Sequence, residues 1–267
     1  MLNIIVSGAS GKMGTRILSL AKDSRDFNIV GALEHRNHDR VGTDVGEVIG
    51  AGKMNVLLSD TLDTIKEKAD VLIDFSAPEA SLEISGIAAE KNISMVIGTT
   101  GFKQEDVAEI QSRCKNIACV LAPNMSVGIN LLLKSLKDIA NVLGDDYDVE
   151  IIEAHHRLKK DAPSGTALRI AQVLAEALNR NLEETAVYTR KGIIGKRTQK
   201  EIGMQTIRAG DIVGEHTVLF GGLGERIEVT HRASSRDTFA RGALKAALWV
   251  SKQSPGFYDM RDVLGLV

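Results

Sequence analysis

The segment from Glu153 to Thr166 concentrates residue types that can bind an anion and move a proton. It reads Glu-Ala-His-His-Arg-Leu-Lys-Lys-Asp-Ala-Pro-Ser-Gly-Thr and follows an apolar strand pattern. A histidine titrates near neutral pH and can act as a general acid, which makes His155 a candidate proton donor. Lys159 offers a mobile ammonium group that can donate a proton or bind a carboxylate. The segment therefore predicts a site where a small dianion is bound and protonated.

The end of this segment, Ser164-Gly165-Thr166, predicts the start of a helix with Ser164 as its N-cap. The first N–H groups of a helix have no partners within the helix and can bind an anion. A substrate with two carboxylates would use these N–H groups together with His155 and Lys159. The sequence therefore favours a small dicarboxylate as the ligand.

Three other interpretations of this cluster stay open. Adjacent residues on a strand point to opposite faces, which disfavours a metal ion shared by His155 and His156. A triad of Ser164, His155 and Asp161 is conceivable, although the G-x-S-x-G pattern of a nucleophile elbow is missing. Buried histidines with a purely structural role are the third possibility.

A glycine-rich loop near the N-terminus predicts a dinucleotide site. Ser7–Gly14 reads Ser-Gly-Ala-Ser-Gly-Lys-Met-Gly, follows a predicted strand and opens a predicted helix. Its spacing, G-x-x-G-x-x-G, departs from the usual G-x-G-x-x-G. Glycines still permit a tight turn and close backbone approach, and the helix N-terminus offers N–H groups to a pyrophosphate. The alternative is a plain glycine turn between strand and helix.

The residues after the second predicted strand bear on the choice of cofactor. Glu34 can accept hydrogen bonds from the adenine-ribose hydroxyls, which favours NADH. His35, Arg36 and Lys12 could accept a 2′-phosphate, which favours NADPH. We therefore expect NADPH or NADH as the cofactor. The alternative for His35 and Arg36 is a solvated surface turn.

Two further loops, Gly98–Gly101 and Ala122–Met125, each end a predicted parallel strand. Ligands of open α/β sheets bind outside the carboxyl ends of the strands, so these loops should border the nicotinamide. The alternative is that these loops are ordinary connections between strands and helices and bind no ligand.

Short apolar strands alternate with helical patterns in the first half of the chain, which predicts a parallel sheet with helices on both faces. The predicted strands are Leu2–Val6, Phe27–Leu33, Val71–Phe75, Ser94–Ile97 and Ile117–Leu121. The predicted helices run from the glycine loop to about Lys22, from about Glu79 to Lys91 and from about Gln104 to Arg113.

Beyond Leu121 the pattern changes to an α+β unit with a mixed or antiparallel sheet. The predicted helices are Val127–Leu143, Ser164–Leu178 and Asp237–Lys252. The predicted strands are Val149–Ala154, Ala186–Arg190, Met204–Arg208, His216–Phe220 and Arg226–His231.

The expected fold class is α/β, with a Rossmann-like dinucleotide-binding domain and an inserted α+β domain. The first domain should cover residues 1–126 with 237–267 returning to it, and the second should cover 127–236. We expect the hinge between them to close over a substrate.

The charge and cysteine content of the chain disfavour several partners and kinds of site. A net charge of −2 gives no general attraction to nucleic acid or membrane, so neither partner is expected. The two cysteines, Cys114 and Cys119, suggest no disulfide framework and no zinc site, and Cys119 is expected in the core. Leu2–Val6 is too short for a signal peptide and leads straight into the glycine loop. These features together predict a cytoplasmic protein.

The motifs taken together resemble those of the 4-hydroxy-tetrahydrodipicolinate reductase family, long called dihydrodipicolinate reductase. The segments that carry the resemblance are Gly8–Gly14, Gly98–Gly101, Asn124–Gly128, Glu153–Thr166, Arg208–His216 and His231–Arg236. The similarity covers nearly the whole chain, and the Glu153–Thr166 motif is its most specific part.

The resemblance implies an NAD(P)H-dependent oxidoreductase of diaminopimelate and L-lysine biosynthesis. Such an enzyme reduces 4-hydroxy-tetrahydrodipicolinate to tetrahydrodipicolinate with loss of water. The family is a homotetramer assembled through the sheet of the second domain, which implies the same assembly here.

The resemblance also implies roles for individual residues. It makes His155 the catalytic proton donor/acceptor and Lys159 a catalytic proton donor. It assigns the binding of the substrate carboxylates to His156, Gly165 and Thr166. The cofactor-binding residues that it implies are Gly8, Ala9, Ser10, Gly11, Lys12, Met13, Glu34, His35, Gly98, Thr99, Thr100, Ala122, Pro123, Asn124, Met125 and Arg236.

Two positions depart from the family pattern. His35 stands where the family often has arginine, which leaves the preference for NADPH open, with Arg36 as a possible substitute. Met125 stands where an aromatic residue is also found, which could alter packing around the nicotinamide.

Rival functions remain at this stage. One is a reductase for another small acid, such as an amino-acid dehydrogenase. Another is a dinucleotide sensor without turnover, although a sensor has no need of a proton donor such as His155. An aldehyde dehydrogenase with a thiol nucleophile is disfavoured because Cys119 is expected to be buried.

Overall fold

The computed structural model describes residues 1–266, which divide into two compact units. The first unit comprises Met1–Val127 and the chain from Arg236 onward, and the second comprises Gly128–Ser235. The second unit is therefore inserted, along the chain, into the first.

The strands are β1 (Leu2–Ser7), β2 (Phe27–Leu33), β3 (Leu58–Ser59), β4 (Val71–Asp74), β5 (Ser94–Ile97), β6 (Ala118–Leu121), β7 (Asp148–His155), β8 (Ala186–Val187), β9 (Ile202–Arg208), β10 (Gly214–Gly221), β11 (Arg226–Ala233) and β12 (Gly256–Tyr258). The α-helices are α1 (Gly14–Lys22), α2 (Val45–Val48), α3 (Pro78–Glu90), α4 (Gln104–Arg113), α5 (Val127–Leu143), α6 (Gly165–Ala177), α7 (Leu182–Thr185), α8 (Asp237–Val250) and α9 (Met260–Leu264).

A seven-stranded parallel sheet forms the centre of the first unit, in the order β12-β6-β5-β4-β1-β2-β3. Successive strand residues face opposite sides of a sheet, so a strand covered on both faces is apolar throughout. On β1, Ile4 and Val6 join a cluster with α1 and α8, whereas Ile5 joins a second cluster with α3 and α4. The continuous apolar run of β1 is thus explained by its central position.

A five-stranded mixed sheet forms the second unit, in the order β11-β10-β7-β9-β8. The central strand β7 runs antiparallel to β10 and parallel to β9. Alternate residues of β10 are buried, and Val218 and Phe220 pack in a cluster with α5 and α6. The two amphipathic helices therefore bury their apolar faces against this sheet.

The structure confirms the predicted fold class and most of the predicted elements. The strand predicted for Ala186–Arg190 is wrong beyond Val187, because the chain leaves the sheet there. The side chain of Arg190 forms an ion pair with Glu150 instead. The prediction missed β12, which is only three residues long and has no apolar alternation of its own. It also missed β3 and the short helices α2, α7 and α9. Cys114 and Cys119 are both buried and unbridged, as expected for Cys119.

The glycine loop between β1 and α1 depends on two glycines. Gly8 has a φ of +70°, in the left-handed region that favours glycine. A Cβ atom on Gly14 would lie 2.1 Å from the carbonyl oxygen of Gly8. Gly14 therefore lets the first turn of α1 pack directly against the loop.

We expect Gly14→Ala to lower the free energy of unfolding by roughly 1–3 kcal/mol, because the added methyl overlaps backbone that cannot move aside. Gly86→Ala is the matched control, since a Cβ there is 3.5 Å from the nearest atom, in the Arg113 side chain. Alanine suits the interior of α3 better than glycine, so this control should gain up to about 1 kcal/mol. Urea unfolding measures both, and equal stability of Gly14→Ala and the unmodified chain would contradict the packing argument.

His216 is a histidine buried in the sheet of the second unit, with 4% of its surface exposed. Its Nε2 atom lies 3.2 Å from Oγ of Ser164. Burial, reinforced by the nearby imidazole of His155, lowers the pKa of His216 to about 4. His216 is therefore neutral in the folded chain across the physiological pH range.

This shift makes stability depend on pH in a defined window. The unfolded chain takes up a proton at His216 near pH 6.5, whereas the folded chain does so only near pH 4. The unfolded state holds more protons between these values, so stability falls as the pH falls. We expect urea unfolding to show a loss between pH 7 and pH 4.5 to which His216 contributes roughly 2 kcal/mol. His216→Gln should remove that part of the loss, and an unchanged pH slope in this variant would refute the assignment.

Candidate active site

A cavity of about 530 Å³ lies in the first unit at the carboxyl ends of the central strands. The strand order reverses at β1, which lies between β2 and β4, and dinucleotides bind at such switch points in open parallel sheets. The cavity is lined by Lys12, Met13, Phe75, Ser76, Gly98, Thr99, Thr100, Pro123, Asn124, Met125, Arg236 and Phe239. The loops after β1, β4, β5 and β6 thus contribute to one site, together with residues around the start of α8.

Asp74, at the end of β4, holds two of these loops together. Its fully buried carboxylate accepts hydrogen bonds from Oγ of Ser76 at 2.6 Å and Oγ1 of Thr99 at 3.0 Å. The hydroxyl of Ser81, in α3, is a further donor to it. Thr99 in turn accepts a hydrogen bond from the backbone N–H of Ser76 at 2.9 Å. These hydrogen bonds to Asp74 therefore fix the part of the cavity wall that the loops after β4 and β5 form.

Glu34, at the end of β2, reaches the glycine loop. Its Oε1 atom accepts a hydrogen bond from the backbone N–H of Ser10 at 2.9 Å. Its Oε2 atom accepts a weaker one from the backbone N–H of His35 at 3.3 Å. Ligand atoms of Glu34, His35 and His38 all lie within 4.8 Å of one another. The sequence predicted no metal ligands, and His38 was not singled out as a functional residue.

The predicted cofactor residues fall into two groups. Those in the cavity wall are Lys12, Met13, Gly98, Thr99, Thr100, Pro123, Asn124, Met125 and Arg236. The others lie in the connections that follow three strands: Gly8, Ala9, Ser10 and Gly11 in the glycine loop after β1, Glu34 and His35 after β2, and Ala122 after β6.

Three lining residues were missed by the sequence analysis: Phe75, Ser76 and Phe239. The position of Phe75 and Ser76 directly after a parallel strand was the signal that could have found the first two. Phe239 is an apolar residue near the start of a helix, and its sequence neighbourhood carries no sign of a ligand.

A second polar cluster lies in the second unit and centres on Glu153. This carboxylate has 1% of its surface exposed. Arg208 binds it with both terminal nitrogens, at 2.9 and 2.8 Å, and Nδ1 of His155 lies 2.6 Å from it. The backbone N–H of Ser164 is a fourth donor at 3.0 Å. Burial opposes the charged form, but the bonds from Arg208, His155 and Ser164 outweigh it and hold the pKa of Glu153 below its usual value.

His155 is the last residue of β7, and its ring makes an edge contact with the ring of His216. Burial lowers the pKa of His155 below the ordinary value. The hydrogen bond and charge of Glu153 oppose this shift, whereas the charges of Lys159 and Arg208 reinforce it. The pKa of His155 is therefore set first by burial and then by the balance of its charged neighbours.

The other predicted residues of this segment surround the start of α6. The ammonium group of Lys159 lies 2.9 Å from the carboxylate of Asp161, whose pKa this hydrogen bond lowers. Ser164 caps α6 as predicted by accepting a hydrogen bond from the N–H of Ala167. Gly165 and Thr166 are the first two residues of the helix, and His156 directly follows β7.

These pairings differ from the Ser164, His155 and Asp161 triad that the sequence left open. The hydroxyl of Ser164 contacts His216, and Asp161 pairs with Lys159. Sequence analysis also gave no individual role to Glu153, Arg208 or His216. The register of β7 and β9 places Arg208 opposite His155, and that long-range pairing has no local signal in the sequence.

No helix within residues 1–266 is long and apolar enough to cross a membrane.

Comparison with known proteins covers both units. A family model described as dihydrodipicolinate reductase, N-terminus, matches residues 2–125, and one described as dihydrodipicolinate reductase, C-terminus, matches residues 128–264. The 4-hydroxy-tetrahydrodipicolinate reductase of Syntrophus aciditrophicus is 55% identical over 265 residues, which cover 99% of each chain. The enzyme of the same name from Geobacter sulfurreducens is 54% identical over the full length of both chains.

A solved structure extends the comparison to three dimensions. It is the structure of a dipicolinate-bound dihydrodipicolinate reductase from Paenisporosarcina sp. TG-14. The identity is 26%, the TM-score is 0.75, and the alignment covers 97% of each chain. On the strength of the two family models and the full-length relatives, this chain belongs to the dihydrodipicolinate reductase family.

Proposed function

We propose that this chain catalyses the NAD(P)H-dependent reduction of 4-hydroxy-tetrahydrodipicolinate to tetrahydrodipicolinate, in diaminopimelate and L-lysine biosynthesis. The observation that carries the proposal is the 55% identity to a 4-hydroxy-tetrahydrodipicolinate reductase along 99% of both chains. The balanced reaction consumes one substrate, one NAD(P)H and one proton, and releases product, NAD(P)⁺ and water.

The first unit is proposed as the cofactor domain. The cavity at the switch point of the sheet, next to a helix that begins directly after a glycine loop, fits a dinucleotide. The bound cofactor supplies the hydride. The loops of Gly98–Thr100 and Pro123–Met125 would border its nicotinamide, and Glu34 would accept hydrogen bonds from its ribose. Because Glu34 already accepts the N–H of Ser10, its carboxylate is held in place for that role.

The second unit is proposed as the substrate domain. Lys159 and the N–H groups of Gly165 and Thr166 offer positive charge and donors to carboxylates, and His156 would add a further donor. The Paenisporosarcina relative is described as dipicolinate-bound, and dipicolinate is a planar dicarboxylate. We therefore propose that this cluster binds the two carboxylates of the substrate.

His155 is proposed to supply the proton that the reaction consumes, with Lys159 as a second donor. Burial holds the pKa of His155 below its usual range, so a proton must be recruited when substrate binds. A dianion beside the imidazole would favour the protonated form, because opposite charges raise the pKa of a histidine. Substrate binding and proton loading would thereby be coupled.

A homotetramer and a cytoplasmic location are part of the same proposal. The homotetramer rests on the family resemblance, and the cytoplasmic location rests on the low cysteine content.

The proposed reaction is tested by following NADH and NADPH oxidation in parallel. Substrate is made in situ from pyruvate and aspartate semialdehyde by the preceding synthase. We expect oxidation that requires every component and is inhibited by pyridine-2,6-dicarboxylate, and the two rates will show whether His35 and Arg36 accept the 2′-phosphate. Dinucleotide binding without oxidation of either cofactor would contradict the proposal and favour a different acid substrate or a sensor.

His155→Gln tests the proton donor. We expect kcat to fall by about 10²–10⁴-fold, because general acid catalysis typically contributes that much. Dinucleotide affinity, measured by fluorescence titration, should stay unchanged because His155 lies outside the first unit. His231→Gln makes the same replacement on β11 and should keep kcat close to that of the unmodified enzyme. An unchanged kcat in His155→Gln would remove this residue from the mechanism.

A further inference from the structure

Glu153 is the most highly connected buried charge of the second unit's polar cluster. Its two carboxylate oxygens receive two bonds from Arg208, one from His155 and one from the backbone of Ser164. Oγ1 of Thr206 lies 3.4 Å away as a weaker partner. A buried charge is stable only when it is paired and hydrogen-bonded, so this arrangement accounts for how a carboxylate can be buried here.

The partners of Glu153 come from different parts of the chain. His155 ends β7, Arg208 ends the parallel neighbour β9, and Ser164 caps α6. Arg208 also donates a hydrogen bond to the carbonyl oxygen of Asp161, in the loop between β7 and α6. One carboxylate thus fixes the histidine, the arginine and the helix start relative to one another.

The contact with His155 determines which ring nitrogen carries the proton. An ionised carboxylate can only accept hydrogen bonds, so Nδ1 of His155 must be the donor. The remaining nitrogen, Nε2, is then the atom that gains or loses a proton when the ring titrates. A Cβ on Gly214 would lie 3.1 Å from Nε2, so glycine at this position keeps a side chain away from that atom.

We propose that Glu153, paired with Arg208, is a positioning residue that keeps a proton on Nδ1 of His155 and reserves Nε2 for proton transfer to the substrate. The inference rests on the proposed function for its chemical meaning. It goes beyond that function by assigning the tautomer and the charge balance of the proton donor to two residues that had no individual role in the sequence analysis.

The charge balance around His155 comes from every element packed near it. Glu153 on β7 favours the protonated ring, whereas Arg208 on β9 and Lys159 in the following loop disfavour it. Asp161 is paired with Lys159 and lies close to Arg208. His216 on β10 has a lowered pKa and is a neutral neighbour of His155 at pH 7, and His231 lies beyond it on β11, opposite His216. Removing either member of the Glu153–Arg208 pair should therefore move the titration of His155, and the two removals should act in opposite directions.

The first test compares Glu153→Gln with Arg208→Met. Glutamine removes the negative charge, so the pKa of His155 should fall, whereas methionine removes the positive charge, so that pKa should rise. A general acid works only when it is protonated, so the rate declines as the pH rises through the pKa of His155. This decline should occur at a pH about one unit or more lower in Glu153→Gln, and at a correspondingly higher pH in Arg208→Met. A merely structural role for the pair would not produce shifts of opposite sign.

The second measurement does not depend on turnover. In chain labelled with ¹⁵N-histidine, the His155 signals are assigned as those lost in His155→Gln. We expect neutral His155 to carry its proton on Nδ1, and in Glu153→Gln, where the amide N–H can donate to Nδ1, on Nε2. The same spectra recorded across pH give the pKa of His155 directly. If these shifts appear while neither the unmodified chain nor any variant reduces the substrate, the positioning role stands and the proposed function fails.

Conservative variants guard against loss of folding. Glu153→Asp and Arg208→Lys keep the charges, so each should restore the pKa of His155 toward its original value with kcat only partly recovered, because the geometry is altered. An unchanged tautomer and pKa in Glu153→Gln would overturn the proposal. So would shifts of the same sign in the charge-removing variants, or, if those variants do not fold, a His155 that has its proton on Nε2 in the unmodified chain.

Discussion

A carboxylate removed from water must have its lone pairs occupied by donors, and this requirement organises both units of the protein. In the second unit, Glu153 meets it with donors from the end of β7, the end of β9 and the start of α6. In the first unit, Asp74 meets it with hydroxyl groups from its own loop, from α3 and from the loop after β5. Each acid lies at or near the carboxyl end of a strand, where the functional loops begin.

The two buried acids differ in the kind of donor they use, and the difference matches their surroundings. Asp74 is bound by neutral hydroxyls, which hold loops in place without adding positive charge to the cavity wall. Glu153 is bound by a guanidinium group, and a bidentate arginine–carboxylate pair combines strong hydrogen bonds with a fixed orientation. The first arrangement is suited to a rigid binding wall. The second is suited to a place where a neighbouring group titrates.

Local patterns in the sequence were enough to predict the alternating strands and helices, the glycine loop and the Ser164 cap. Each of these depends on residues close together in the chain. Arg208 could not be found in this way, because its meeting with Glu153 depends on the register between β7 and β9, whose ends are separated by α6 and a long connection. Phe239 could not be predicted for the same reason, because it lines the cavity together with residues that are far away in the sequence. The short strand β12 is formed by its parallel contact with β6 and has no pattern of its own.

The chain order of the two units has a consequence for biosynthesis of the protein. Helix α8 contributes Ala240, Ala243 and Ala247 to the core under β4, β5 and β6, and Arg16 on α1 pairs with Asp237 at its start. These contacts join residues of α1 with residues that are synthesised more than two hundred positions later. The second unit is one continuous segment, and continuous segments can fold as they emerge. The first unit, although most of it precedes the second along the chain, thus completes its core only after the second unit has been synthesised, and its parallel strands are partly uncovered until then.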